Sequence, residues 1–249
     1  MIHGMWSSGD IWNNYKSYFE AQGYRVITPT LRLHGENYRA VAPEALGTVS
    51  ILDYASDLER DIRALDEKPI IIGHSMGGLI AQILASRGLA EKLVLLTSAS
   101  PAGILALRPS STRTFLSVLS SWGFWKKPMR LTFEEAKYGI LGLLSPEEQA
   151  VEYAKYCFES GQAAYEIAFW ILDRKKATHV DSKSVTCPVL VIAGGKDKIV
   201  PASVVKQIAR KYEKTTAVTF KQFDDYAHAI QRQKGWQDIA GFVADWLKA

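Results

Sequence analysis

Apolar positions along the chain follow two rhythms that take turns. Short β-branched runs at Arg25-Val26-Ile27, Pro69-Ile70-Ile71-Ile72 and Lys92-Leu93-Val94-Leu95-Leu96 alternate with segments of helical spacing. That alternation predicts a parallel sheet with crossover helices. The Ile70 to Ile72 run is apolar without interruption, which predicts a strand covered on both faces and hence a central one. Tyr54, Ala55, Leu58, Ile62 and Leu65 mark one face of a helix that Ser50 is placed to cap, and an earlier helix is expected from Asp10 to Gly23. The same alternation returns with strands at Val189 to Ala193 and Thr216 to Phe220, and helices at Ala202 to Lys211 and Trp236 to Leu247.

Between the two stretches, residues 101–186 contain no convincing strand. Thr132-Phe133-Glu134-Glu135 and Ser145-Pro146-Glu147-Glu148 each read as a capping box that opens a helix. The expected organisation is therefore a core of residues 1–100 and 187–249 carrying a helical cap, 101–186. The insertion holds 12 of the 27 aromatic residues, enough both to pack it onto the core and to line an apolar pocket.

Composition removes several classes of function. With 249 residues, 47% of them hydrophobic, the chain has ample length to bury a core. Thirty Lys and Arg against 26 Asp and Glu give a net charge of +4. The densest clusters, Lys126-Lys127 with Arg130 and Arg174-Lys175-Lys176, read as solvated helix ends and not as a nucleic-acid groove. The longest apolar run, Ile167 to Leu172, is far too short to span a membrane, and no signal sequence opens the chain, so a cytoplasmic protein is expected. Cys157 and Cys187 lack the partners of a disulfide framework or a zinc site and read as inert thiols.

The chemistry concentrates after the Ile70 to Ile72 strand. Gly73-His74-Ser75-Met76-Gly77 follows it directly and opens a helix, a placement that makes a turn tight enough to lift Ser75 clear of the sheet. Gly73 and Gly77 are expected to approach each other too closely for a Cβ. A serine hydroxyl needs a base, and His228 lies on the loop after the last strand, at the sheet edge where Ser75 emerges. Asp197, on the loop after the Val189 strand, can hold that imidazole in one tautomer. Asp224 and Asp225 are the rival acids, but sit so near His228 in sequence that they more naturally shape its loop.

The order Ser75, Asp197, His228, with gaps of 122 and 31 residues, resembles the α/β-hydrolase family. The resemblance implies an α/β-hydrolase fold with a helical cap. His3-Gly4-Met5-Trp6 matches the family's His-Gly oxyanion loop and implies the backbone N–H groups of Met5 and Met76 as oxyanion donors. Arg32-Leu33-His34-Gly35 is similar to the family's Arg-Gly-His-Gly turn, with Leu33 in place of a glycine. Only Met1 and Ile2 precede His3, where relatives have a full strand and usually a hairpin, so a shortened N-terminal edge is expected.

The implied activity is hydrolysis of small to medium carboxylic esters or acylglycerols without metal or organic cofactor. Ser75 at the elbow argues against haloalkane dehalogenases and epoxide hydrolases, which use aspartate there. The alternatives are a hydroxynitrile lyase or methylesterase of the plant branch, which the region from His3 to Trp12 and the Tyr24 to Pro29 strand also resemble, and a non-catalytic receptor for a small ligand.

Overall fold

A computed structural model describes residues 1–249, and its architecture follows the alternation of apolar runs. In chain order come helices α1 (Asn13–Glu20) and α2 (Ile51–Arg63), strand β1 (Ile71–His74), helix α3 (Met76–Ser86) and strand β2 (Leu93–Leu96). Next come α4 (Pro109–Thr114), α5 (Leu116–Ser120), β3 (Pro128–Met129), α6 (Phe133–Ala136), α7 (Pro146–Ala154), β4 (Glu159–Ser160) and α8 (Gly161–Ala168). The chain finishes with β5 (Val189–Gly194), α9 (Ala202–Tyr212), β6 (Val218–Phe223) and α10 (Trp236–Lys248).

Four strands form one parallel sheet in the order β1-β2-β5-β6. Because side chains alternate across a strand, Ile71, Leu93 and Val189 share a core with α2, α3 and α9, while Ile72, Val94 and Leu190 pack with α1 and α10 on the other face. The uninterrupted apolar runs of β1 and β2 are thus explained by helices on both sides.

Three expectations need correction. First, β1 is the outermost strand of the ladder, not a central one. Its free edge is met only by Ile2, which makes a single parallel bridge to Gly73. Second, residues Arg25 to Ile27 form no strand; the Met1 amino group donates to the Ile27 carbonyl at 2.7 Å, with no ladder between this segment and β1. Third, the insertion does contain strand pairing, the two-residue antiparallel contact of β3 with β4.

Both capping boxes form. Thr132 Oγ1 accepts from Glu135 N–H while the Glu135 carboxylate accepts from Thr132 N–H, and Ser145 and Glu148 do the same. Ser50 caps α2 as expected, and the structure adds a buried partner: Glu166, from α8, accepts from Ser50 Oγ at 2.8 Å and Ile51 N–H at 2.8 Å. A second buried carboxylate, Glu159, accepts from Tyr54 Oη at 2.8 Å and contacts His34 Nε2 at 3.1 Å. Burial alone would push the His34 pKa down, but the charge of Glu159 and hydrogen bonds to it and to Arg32 outweigh that and hold it above its ordinary value. The segment between β2 and β5 is therefore tied to the sheet layer by buried, hydrogen-bonded acids as well as by apolar packing.

Candidate active site

The tight turn between β1 and α3 sets the geometry. Ser75 has φ 53° and ψ −122°, a left-handed conformation costly for a residue with a Cβ, and its N–H is anchored on the Leu96 carbonyl at 3.1 Å. A Cβ on Gly73 would stand 2.7 Å from Gly78 Cα and overlap the Gly77 carbonyl, so the turn demands glycine there. Gly77 is required for a different reason from the one expected. A Cβ there would overlap the carbonyls of Ile2 and His3, so Gly77 admits the oxyanion loop and not Gly73. Gly4 completes the approach, since a Cβ on it would lie 2.9 Å from Ser75 Cβ.

The structure brings together the three side chains singled out in the sequence. His228 Nε2 lies 2.9 Å from Ser75 Oγ, and His228 Nδ1 lies 2.8 Å from Asp197 Oδ2. All three residues are buried. The other Asp197 oxygen accepts from Ile199 N–H at 2.8 Å and Val200 N–H at 2.9 Å, which fixes the carboxylate against its own loop. With Asp197 accepting at Nδ1, the neutral imidazole presents the Nε2 lone pair to the serine hydroxyl. Neither rival acid reaches His228: Asp225 pairs with Lys196 at 2.7 Å, and Asp224 accepts from Gln222 at 2.6 Å.

Two further residues hold the base, and the sequence reading missed one of them. The backbone carbonyl of His228 accepts from His74 Nε2 at 2.8 Å and from Thr97 Oγ1 at 3.0 Å. Burial, then the neighbouring His228, pushes the His74 pKa well down, so its ring is neutral and its proton resides on the donating nitrogen. His74 stands out in the sequence only as part of the Gly73 to Gly77 turn. Thr97, held at φ 43°, carries no motif, and its only signal is its position at the end of β2.

The Met5 N–H makes no hydrogen bond within the protein, and Met76 is the first residue of α3, so its N–H has no acceptor inside the helix. Both residues line the same cavity as Ser75. Their amides are free to point at a developing oxyanion. His3 is buried beneath them: its Nε2 accepts from Leu31 N–H at 3.0 Å and its Nδ1 meets the Gly4 carbonyl at 2.8 Å. Burial, then His34, pushes its pKa down to about 3. Leu33, where the family pattern has glycine, adopts φ 60°, the left-handed conformation that glycine would take without strain.

The cavity over Ser75 is narrow and apolar. Its empty space is about 690 Å³ including the mouth, and 15 of its 18 lining residues are hydrophobic. Phe115, Val118, Phe124 and Ile167 enclose it from the β2–β5 segment, and Met5, Ile199 and Val204 from the sheet layer. No group of three His, Cys, Asp or Glu side chains is arranged to hold a metal ion. Cys157 is buried, with its thiol pushed up to about 11 by burial, and Cys187 is half-buried.

The alpha/beta hydrolase family model matches residues 1–237. The chain belongs to the alpha/beta hydrolase family. Among characterised relatives, it is 27% identical to a non-heme chloroperoxidase of Burkholderia pyrrocinia over 246 residues, which cover 92% of this chain and 84% of that protein. It is 25% identical to Protein ABHD8 of Bos taurus over 241 residues, 92% of this chain but 51% of that protein, so the chain spans about half the length of that relative. The solved pyrethroid hydrolase of Sphingobium faniae JZ-2 superimposes with a TM-score of 0.71 at 19% identity, covering 100% of this chain and 96% of the other. The α/β-hydrolase fold, a parallel sheet flanked by helices, is thus common to this chain and its structural neighbours.

Proposed function

We propose that the protein is a serine hydrolase that cleaves carboxylic esters through an acyl-enzyme on Ser75. The observation that carries this reading is the continuous line Ser75–His228–Asp197, with separations of 2.9 and 2.8 Å, opening on an apolar cavity. Ser75 Oγ attacks the ester carbonyl as its proton passes to His228 Nε2, and Asp197 stabilises the imidazolium. The carbonyl oxygen, now an anion, is held by the amides of Met5 and Met76. His228 returns the proton to the departing alcohol, then takes one from water, which attacks the acyl-enzyme and releases the acid and the free serine.

In this reading residues 1–100 and 187–249 form the catalytic core, and 101–186 form a lid whose inner aromatic and aliphatic side chains receive the apolar part of the substrate. The lining carries no charged side chain, which favours small to medium neutral acyl groups over peptides or polar acids. Removing one oxyanion donor is expected to cost about 10²–10³ in rate.

A methylesterase or hydroxynitrile lyase is the second reading. It rests on the likeness of the region from His3 to Trp12 and of Tyr24 to Pro29 to the plant methylesterase and hydroxynitrile lyase branch. Short, medium and long p-nitrophenyl esters separate these outcomes when assayed beside a cyanohydrin. Hydrolysis supports the esterase; release of aldehyde and cyanide without ester turnover replaces it with the lyase. Tight ligand binding with no turnover of either replaces both with a receptor.

A further inference from the structure

The segment that encloses the cavity also exposes large apolar side chains to solvent from its turns. Trp122 is 87% exposed, and Ile171 and Leu172 are 71% and 64% exposed. All three lie on the segment between β2 and β5 and are joined by a run of ring contacts. Trp122 stacks edge-on against Trp125 at 5.4 Å, Trp125 lies 5.9 Å from Tyr165, and Tyr165 lies 5.5 Å from Phe169. Leu172 N–H then closes a turn on the Phe169 carbonyl. The aromatic chain thus connects the two exposed apolar tips through the body of the segment.

Each tip is flanked by cations. Lys126 and Lys127 follow Trp122, and Arg174, Lys175 and Lys176 follow Leu172; all five are exposed and none forms an ion pair. In residues 122–131 and 167–180 the only acid is Asp173, which is buried and spends its oxygens on the N–H groups of Lys175 and Ala177. As a sequence these clusters look like solvated helix ends. Beside bare tryptophan, isoleucine and leucine they acquire a different meaning.

We propose that this face of the lid is a docking surface for an anionic lipid bilayer. Tryptophan favours the headgroup level, isoleucine and leucine gain by leaving water for the acyl boundary, and the cations meet lipid phosphate. A second copy of the chain fits less well, because a two-fold contact would bring the same unpaired cations face to face. A nucleic acid offers nothing apolar to Ile171 and Leu172. The inner side of the same elements, through Phe124, Ala164 and Ile167, lines the cavity over Ser75. The docking stands apart from the hydrolase reading; only the added step, entry of bilayer-dissolved esters from this face, rests on it.

Flotation of the full chain with vesicles tests the surface. Vesicles of phosphatidylcholine containing phosphatidylglycerol should carry the protein upward, and pure phosphatidylcholine should carry much less. Each cation near an anionic surface is worth about fivefold in binding, so Lys126→Gln with Lys127→Gln should weaken it about 25-fold. Raising salt to about 0.5 M, where the Debye length falls to about 4 Å, should release most of the wild type. The exposed triple variant Trp122→Ser, Ile171→Ser, Leu172→Ser should lose binding while keeping its thermal midpoint and its rate on a water-soluble ester. Ser75→Ala should float like the wild type, which separates failure of the surface from failure of the catalytic reading. Equal binding to neutral and anionic vesicles, or unchanged flotation of the folded triple variant, would overturn the proposal. So would a wild-type dimer that the triple variant abolishes in the absence of any vesicle binding.

Discussion

Acid should destabilise this protein through a histidine that takes no part in the proposed chemistry. His3 is fully buried and accepts a hydrogen bond at Nε2 from Leu31 N–H, so a second ring proton would set two donors against each other. Burial, then the nearby His34, pushes its pKa from the ordinary 6.5 down to about 3. The folded state therefore resists a proton that the unfolded chain accepts, and stability is lost as pH falls below the unfolded value. At about pH 5 the gap amounts to about 1.5 units, or about 2 kcal/mol, a sizeable part of a typical folding free energy of about 5–15 kcal/mol. His34, held above its ordinary value, has the opposite sign: its contribution is complete below about pH 6.5 and is lost as pH rises through its folded pKa, so it adds no slope in the acid window. The perturbation is His3→Gln, which keeps an acceptor for Leu31 N–H but cannot titrate. The assay is urea unfolding at several pH values between about 7.5 and 5. The wild type should lose about 2 kcal/mol more than the variant across that range. Parallel stability curves for the two proteins would refute the assignment of His3 as a buried neutral acceptor.

Three further substitutions probe the site. Asp197→Asn keeps an oxygen for the Ile199 and Val200 amides but loses the charge behind His228, and kcat should fall about 10⁴-fold with the fold intact by circular dichroism. Thr97→Val removes one of the two donors on the His228 carbonyl; kcat for an ester should drop about tenfold or more with KM unchanged, whereas a purely structural role would leave kcat alone. Gly77→Ala drives a methyl group into the carbonyls of Ile2 and His3 and should cost about 2–4 kcal/mol in chemical unfolding.

Much of the fold was legible because its signals are local. Uninterrupted apolar runs marked β1, β2 and β5, and the side-chain and backbone pairing of Thr132 with Glu135 and Ser145 with Glu148 marked two helix starts. What stayed hidden depends on neighbours distant along the chain. Nothing in Arg25-Val26-Ile27 shows that it would find no neighbouring strand to pair with, and β-branched side chains alone do not make a strand. The apolar run of β1 likewise does not show that it stands at the edge of the ladder.

At the site, Ser75 announced itself through its glycines, and His228 and Asp197 through their loops at one sheet edge. The reason for Gly77 was legible only in three dimensions, since the carbonyls that exclude a Cβ come from Ile2 and His3 and not from Gly73. Thr97 is an ordinary polar residue whose hydroxyl matters because of where β2 ends. Glu159 and Glu166 look like surface acids in sequence, yet both are buried against His34, Tyr54 and Ser50.

Mass spectrometry after reaction with a fluorophosphonate ester measures the central claim most directly, because the reagent reports which hydroxyl the imidazole activates. The wild type should acquire one covalent adduct, mapped to the peptide carrying Ser75, in step with the loss of ester hydrolysis, and Ser75→Ala should acquire none. An adduct on another serine, or full hydrolytic activity in folded Ser75→Ala, would contradict the account.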